Sequence, residues 1–213
     1  MMNSLLRACK GLFCINTKDK IAKFLNRYKN NKIKILKDYI KPTDVIFEIG
    51  SGYGICTTKL ANLVPKGKIF AFEPQREIFY CLCANMILNQ IKNVEPINYG
   101  VSNKTKSFNI KNIQDINISI NSNTEDLASN QDCYQTTSVS LDDFPIKITN
   151  VLIINLPAKN ILLGTNNLLL KSPIVVTYDK QNQLLDLKYT EKEYDCDGGK
   201  LYVYNLHPEL RQT

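Results

Sequence analysis

Glu48-Ile49-Gly50-Ser51-Gly52-Tyr53-Gly54 sets an acid ahead of three alternating glycines, at the end of the apolar run that starts at Val45. Glycine at those positions tolerates positive φ and leaves no side chain between the backbone N–H groups and a bound molecule. The chemistry this permits is close approach of a ligand's charged and polar parts. A second acid, Glu73, follows the apolar run Ile69-Phe70-Ala71-Phe72, about 25 residues after Glu48. In nucleotide-binding α/β folds an acid at the end of the second strand accepts both hydroxyls of a ribose.

The glycine spacing separates two ligand classes. Dinucleotide sites use G-x-G-x-x-G. An acid followed by G-x-G-x-G fits S-adenosylmethionine, with Glu48 near the cationic methionine end, directly or through water. The expected cofactor contacts are Glu48, Gly50, Ser51, Gly52, Gly54, Glu73 and Pro74. Tyr99 and Gly100 join them, because they follow the third strand, where such folds meet adenine. Tyr53 sits in the turn itself and either covers the ligand or packs. Catalytic candidates are few. Asn155 can orient a hydroxyl but cannot take its proton. Asp179 follows the fifth predicted strand. Asp142 and Asp143 precede a turn or helix and are read as caps. His207, near the C-terminus, is read as a surface or capping residue.

These residues need elements to hold them. Ile21, Phe24, Leu25 and Tyr28 have helical spacing over 18–29, and Ile33, Leu36, Tyr39 and Ile40 continue a second stripe that Pro42 ends. Then the period changes. Val45–Ile49 predicts a buried strand, Thr57–Val64 a helix, Lys68–Phe72 a strand, Arg76–Gln90 a long helix and Val94–Asn98 a third strand. Residues 103–140 are polar, with β-like alternation at Phe108, Ile110, Ile116, Ile118 and Ile120, and read as a hairpin or variable insertion. Val151–Ile154 predicts a strand, Ile161–Leu170 a helix, Ile174–Tyr178 a strand, and Glu193–Cys196 with Leu201–Tyr204 a closing hairpin. Strand, glycine turn, helix, strand with terminal acid is the first half of a doubly wound α/β sheet. The expected fold is α/β, with a mostly parallel, Rossmann-like sheet of seven strands. Residues 1–41 form a basic helical N-terminal arm and 42–213 the main domain.

Composition narrows the class. The 213 residues are 44% hydrophobic and 22% charged, enough apolar material for a large core and against wholesale disorder. No apolar run approaches transmembrane length. Residues 1–44 hold 11 Lys/Arg and 3 Asp/Glu, while the remainder is nearly neutral. Such an arm suits a nucleic acid or an anionic surface, although a solvated helix face is the plainer reading and is favoured. The seven cysteines are odd in number, scattered and without a C-x-x-C pair, and there is one histidine. That pattern fits free thiols in a cytoplasmic protein better than a disulfide framework or a zinc site, so no metal is expected.

The segment from Glu48 to Asn103 resembles the FkbM family of S-adenosylmethionine-dependent methyltransferases. The resemblance rests on Ala71-Phe72-Glu73-Pro74, Asn85, Leu88-Asn89, Lys92-Asn93-Val94, Asn98 and Val101-Ser102-Asn103. Ser140-Leu141-Asp142-Asp143 is similar to the family's T-L-D-D segment, and the match extends over about 43–205. It implies a class I methyltransferase fold and O-methylation of a sugar or small-molecule hydroxyl, with a small molecule or glycan as acceptor. The family's K-I-D-V-E-G at the fourth strand is replaced by Ile153-Ile154-Asn155-Leu156-Pro157-Ala158. The cofactor half therefore matches and the acceptor half departs. That departure keeps a second reading open, a methyltransferase-fold binding protein without activity. Asn155-Leu156-Pro157-Ala158 is also similar to the N-L-P-Y motif of rRNA adenine dimethyltransferases, with Ala158 where the base-stacking aromatic would stand. An RNA adenine N-methyltransferase is the third reading.

Overall fold

The computed structural model describes residues 3–8, 11–16, 31–111, 133–146, 149–170, 174–196 and 199–207. Strands β3 (Val45–Ile49), β4 (Lys68–Phe72), β5 (Val94–Ile97), β9 (Val151–Ile154), β10 (Ile174–Thr177), β11 (Tyr189–Cys196) and β12 (Gly199–Leu206) make one sheet. Its order is β5-β4-β3-β9-β10-β12-β11. The first five are mutually parallel, β12 runs antiparallel to β10, and β11 pairs antiparallel with β12. The mostly parallel seven-stranded sheet expected from the sequence is present. The chain moves outward from β3 through β4 to β5, then restarts at β9 on the other side. The switch point thus lies between β3 and β9, where open α/β sheets take their ligands.

Strand alternation sorts the core into two faces. Phe47, Ile49, Phe70, Phe72, Leu152, Ile154 and Val175 face one layer. Ile46, Ile69, Ala71, Val151, Ile153 and Val176 face the other. Helices α1 (Asn31–Leu36), α2 (Ile55–Leu63) and α3 (Arg76–Leu88) cover the second face. α3 buries Ile78, Cys81, Leu82, Asn85 and Met86, the i, i+3, i+4, i+7, i+8 stripe of an amphipathic helix. The first face is covered by short helices α4 (Lys159–Leu162), α5 (Asn166–Leu169) and α6 (Asn182–Asp186) and by a small sheet. In that sheet β8 (Cys133–Val139) lies between β6 (Gly100–Val101) and β7 (Lys106–Lys111). β7 and β8 are the hairpin expected within 103–140, and Ile116, Ile118 and Ile120 lie outside the described residues.

Three expectations change. The arm is not helical at its start: β1 (Asn3–Ala8) and β2 (Gly11–Asn16) pair as an antiparallel hairpin, and β2 lies beside α3. The helix expected over 18–29 lies outside the described residues. The single helix expected over Ile161–Leu170 is two, parted at Gly164-Thr165, because Gly164 is pressed against the Ser102 backbone and leaves no room for a side chain. α5 then needs its own cap. The Asp142 carboxylate supplies it, accepting from Asn167 N–H at 3.0 and 3.2 Å and from Leu168 N–H at 3.0 Å. The aspartate caps a helix 25 residues downstream rather than its own turn. Asp142→Ala is expected to cost about 1 kcal/mol, a fall in Tm of roughly 2–4 °C by thermal melt.

Among the described residues, no helix is long and apolar enough to cross a membrane.

Candidate functional site

The glycine turn sits at the carboxyl end of β3, at the switch point. Gly50, Gly52 and Gly54 have φ of 76°, 55° and 80°. The N–H groups of Gly50 and Ser51 both donate to the Phe72 carbonyl at 3.0 Å, which ties the turn to the end of β4. Ser51 Oγ donates to the Glu48 carbonyl at 3.0 Å. Gly54 N–H donates back to Ser51, and the Gly54 carbonyl then accepts from Thr58 N–H to open α2.

The three glycines do different work. A Cβ on Gly54 would lie 2.5 Å from Leu82 Cδ1 and 2.9 Å from Met86 Cε, so this position brings α2 and α3 together. A Cβ on Gly50 would meet Leu156 Cγ at 3.0 Å. A Cβ on Gly52 would meet no atom within 4 Å. The open side of the turn is therefore at Gly52.

Glu73 borders that opening. It is 5% exposed, and its carboxylate accepts from Gly52 N–H at 3.0 Å and Gln75 N–H at 2.9 Å. Asn98 Nδ2 donates to the Glu73 carbonyl at 2.8 Å and steadies the strand end. Each carboxylate oxygen carries two lone pairs, so two acceptor positions are left after the backbone bonds. Burial pushes the Glu73 carboxyl up to about 7, against the opposing pull of its two backbone donors. The folded protein thus holds this proton at pH values where an unfolded glutamate has lost it. Its contribution to stability is fully present below the ordinary glutamate range and is lost as pH rises through about 7. A ligand that uses the ionised carboxylate should bind more weakly below about pH 7 and release a proton there, which calorimetry in buffers of different ionisation enthalpy will read.

Glu48 is placed differently from Glu73. Alternation points it to the helix-covered face of β3, where it is 0% exposed beneath the turn. Thr57 Oγ1 donates to Glu48 Oε2 at 2.6 Å, and Asn155 Nδ2 donates to Oε1 at 3.2 Å. Burial raises its pKa, while Lys32, Thr57, Asn155 and the Cys56 thiol act to lower it. The Cys56 thiol is itself pushed up to about 12, chiefly by burial, so it is no thiolate at neutral pH. Any path from Glu48 to a ligand runs through these partners.

Asn155 follows β9, opposite Gly50. Its Nδ2 also donates to the Gly50 carbonyl at 3.1 Å, and its Oδ1 accepts from Lys32 Nζ at 2.5 Å. Asp179, after β10, accepts from Ala158 N–H at 3.2 and 3.4 Å and from Gln181 Nε2 at 2.5 Å. The structure brings both catalytic candidates to the same sheet edge, but each is engaged in holding the Asn155–Ala158 segment. Asp143 accepts from Thr105 Oγ1 at 2.9 Å, and the exposed His207 donates its backbone N–H to Lys188.

Tyr53 is buried, and its carbonyl accepts from Asn85 Nδ2 at 2.7 Å, so α3 anchors the turn from behind. Pro74 is buried, and its carbonyl accepts from Thr136 Oγ1 at 3.5 Å, which sets β8 beside the end of β4. Tyr99 is 41% exposed, and Gly100 is buried in β6. Lys32 is buried as well, although by composition it belongs with the solvated lysines of the arm. The available signal was its place one turn before Leu36 on the buried stripe of α1.

No family model and no curated protein sequence matches the chain. Solved structures do. The chain is similar to the precorrin-6y C5,15-methyltransferase of Geobacter metallireducens, with TM-score 0.52 and 14% identity over 90% of this chain and 91% of that one. It is similar to TYW2 of M. jannaschii, solved in complex with AdoMet, with TM-score 0.53 and 13% identity over 95% and 84%. It is also similar to the methyltransferase FkbM of Methylobacillus flagellatus, with TM-score 0.53 and 13% identity over 78% of this chain. Only 44% of that FkbM protein is spanned. The fold is thus the Rossmann-like class I methyltransferase fold.

Proposed function

We propose that this chain binds S-adenosylmethionine at the glycine turn and transfers its methyl group to a hydroxyl of a sugar or other small molecule, as FkbM-type enzymes do. One observation carries the reading. At the switch point, three positive-φ glycines leave open space beside Gly52, and the buried carboxylate of Glu73 borders it.

These residues fit the cofactor. The turn Gly50, Ser51, Gly52 and Gly54 would hold its methionine end, and Glu73 its ribose. Pro74, Tyr99 and Gly100 would border the adenine side. Bound there, the cofactor supplies an electrophilic methyl group on a sulfonium. The chain's own part is proximity and orientation of the acceptor at the edge formed by Asn155 and Asp179. Asn155 has both ends of its amide in use, and the Asp179 carboxylate is held by Ala158 and Gln181. Neither is placed as a general base, so the acceptor hydroxyl is expected to give up its proton to solvent or after transfer.

The same engagement supports a second reading, a cofactor-binding protein of this fold without turnover. Calorimetric titration with S-adenosylmethionine and S-adenosylhomocysteine tests the common part, with micromolar binding expected. A screen for S-adenosylhomocysteine production with sugars and then RNA separates the readings. Turnover with a hydroxyl acceptor supports the first, and binding without turnover supports the second. Turnover only with RNA would replace the acceptor class. No binding by a folded protein would overturn both.

A further inference from the structure

The lysine-rich arm contributes one side chain to the interior. Lys32 of α1 is 4% exposed. Its Nζ donates to Asn155 Oδ1 at 2.5 Å and lies 5.1 Å from the centre of the Tyr178 ring. A lysine this buried requires a partner for its charge. The Asn155 amide relays it: Oδ1 takes the ammonium, and Nδ2 serves both the Glu48 carboxylate and the Gly50 carbonyl. Thr57 Oγ1 closes the far side of Glu48. The row Lys32–Asn155–Glu48–Thr57 crosses α1, the end of β9, β3 and α2, and Asn155 ties it to the first glycine of the turn.

We propose that Lys32 is a positioning residue of the cofactor site, which fixes Gly50 through Asn155 and opposes the charge of Glu48 beneath the turn. The affinity part of this proposal rests on the cofactor reading above; the charge coupling does not. The arrangement also accounts for asparagine at 155, where the FkbM pattern has an acid. A carboxylate there could accept from Lys32 but could not donate to Glu48 or Gly50, and it would set two like charges together. The α1 segment is accordingly part of the site rather than an appendage to it.

Among the described residues, the charged and titratable groups around Glu48 are Lys32 from α1, Cys56 and the more distant Lys59 from α2, and Tyr178 beyond Lys32 after β10. Of these, Lys32 is the cation acting on Glu48. The test compares wild type, Lys32→Met, Glu48→Gln and Lys32→Met/Glu48→Gln by thermal melts between pH 5.5 and 8 and by S-adenosylmethionine titration. Lys32→Met strands a buried carboxylate, so Tm should fall by roughly 10 °C at pH 8. The loss should shrink as the pH is lowered, because burial favours the protonated carboxyl once the opposing cation is gone. The double variant should recover part of the loss and lose that pH dependence. Should Lys32→Met fail to fold, a folded double variant still demonstrates the coupling. A merely space-filling role would give a pH-independent loss with no recovery in the double variant, and that result overturns the proposal. For affinity, Lys32→Met should weaken binding roughly tenfold or more through the displaced Gly50. Wild-type affinity in folded Lys32→Met overturns the positioning role. If the wild type itself binds no cofactor, the cofactor reading fails, and the melts still decide the charge coupling.

Discussion

Replacing Glu73 with alanine is expected to weaken S-adenosylmethionine binding roughly 5- to 150-fold, about 1–3 kcal/mol. Two losses combine. The ribose hydroxyls lose an ionised acceptor. The N–H groups of Gly52 and Gln75, which donate to Glu73 at 3.0 and 2.9 Å, lose theirs, so the turn slackens on its open side. The measurement is calorimetric titration of a variant shown to be folded by circular dichroism. The pH dependence offers an independent reading. The wild type should lose affinity below about pH 7 as Glu73 takes its proton, and the alanine variant should not show that step. An unchanged Kd in a folded variant would sink the ribose assignment.

A large effect on stability is expected at Gly54. A methyl there must fit 2.5 Å from Leu82 and 2.9 Å from Met86, at a φ of 80°. Overpacking costs about 1–3 kcal/mol and the backbone strain about 1 more, so Gly54→Ala should lower Tm by roughly 5–15 °C. Gly52→Ala is the contrasting case. Its added methyl meets no atom within 4 Å, so only the strain of a φ of 55° remains, about 1 kcal/mol. That methyl stands in the space where a ligand must approach the backbone, and binding should fall roughly tenfold or more. The pair dissociates fold from ligand within one turn. Wild-type affinity in Gly52→Ala would mean that the opening beside Gly52 is not the ligand's floor.

Strands buried on both faces were the most legible elements, because a continuous apolar run has few other ways to be satisfied. Val45–Ile49, Lys68–Phe72 and Val151–Ile154 are observed at the expected bounds. The glycine turn and Glu73 were legible for a related reason. Their chemistry is local: positive φ, absent side chains and an acid at a strand end are all properties of a few adjacent residues. Asn85 and Asn93 were readable only as parts of a resemblance. In the structure Asn85 ties α3 to the turn, and Asn93 Nδ2 donates to the carbonyls of Ala61 and Val64 at the end of α2.

What the chain's order of residues determined is the mostly parallel seven-stranded sheet and the local backbone of the glycine turn. These follow from periodicity and from backbone preferences that act over a few residues. Tertiary structure decided the rest. Residues 3–8 and 11–16 pair as strands, with β2 beside α3, although the arm reads as helical, because strand pairing depends on a distant partner. Residues 159–169 break into two helices because Ser102 presses on Gly164 and Asp142 reaches across to cap the second. Lys32, one lysine among eleven basic residues of the arm region, is buried because Asn155, 123 residues away, offers it an oxygen. A charge can leave water only where the completed fold supplies its partners, and no local pattern records where those partners will be.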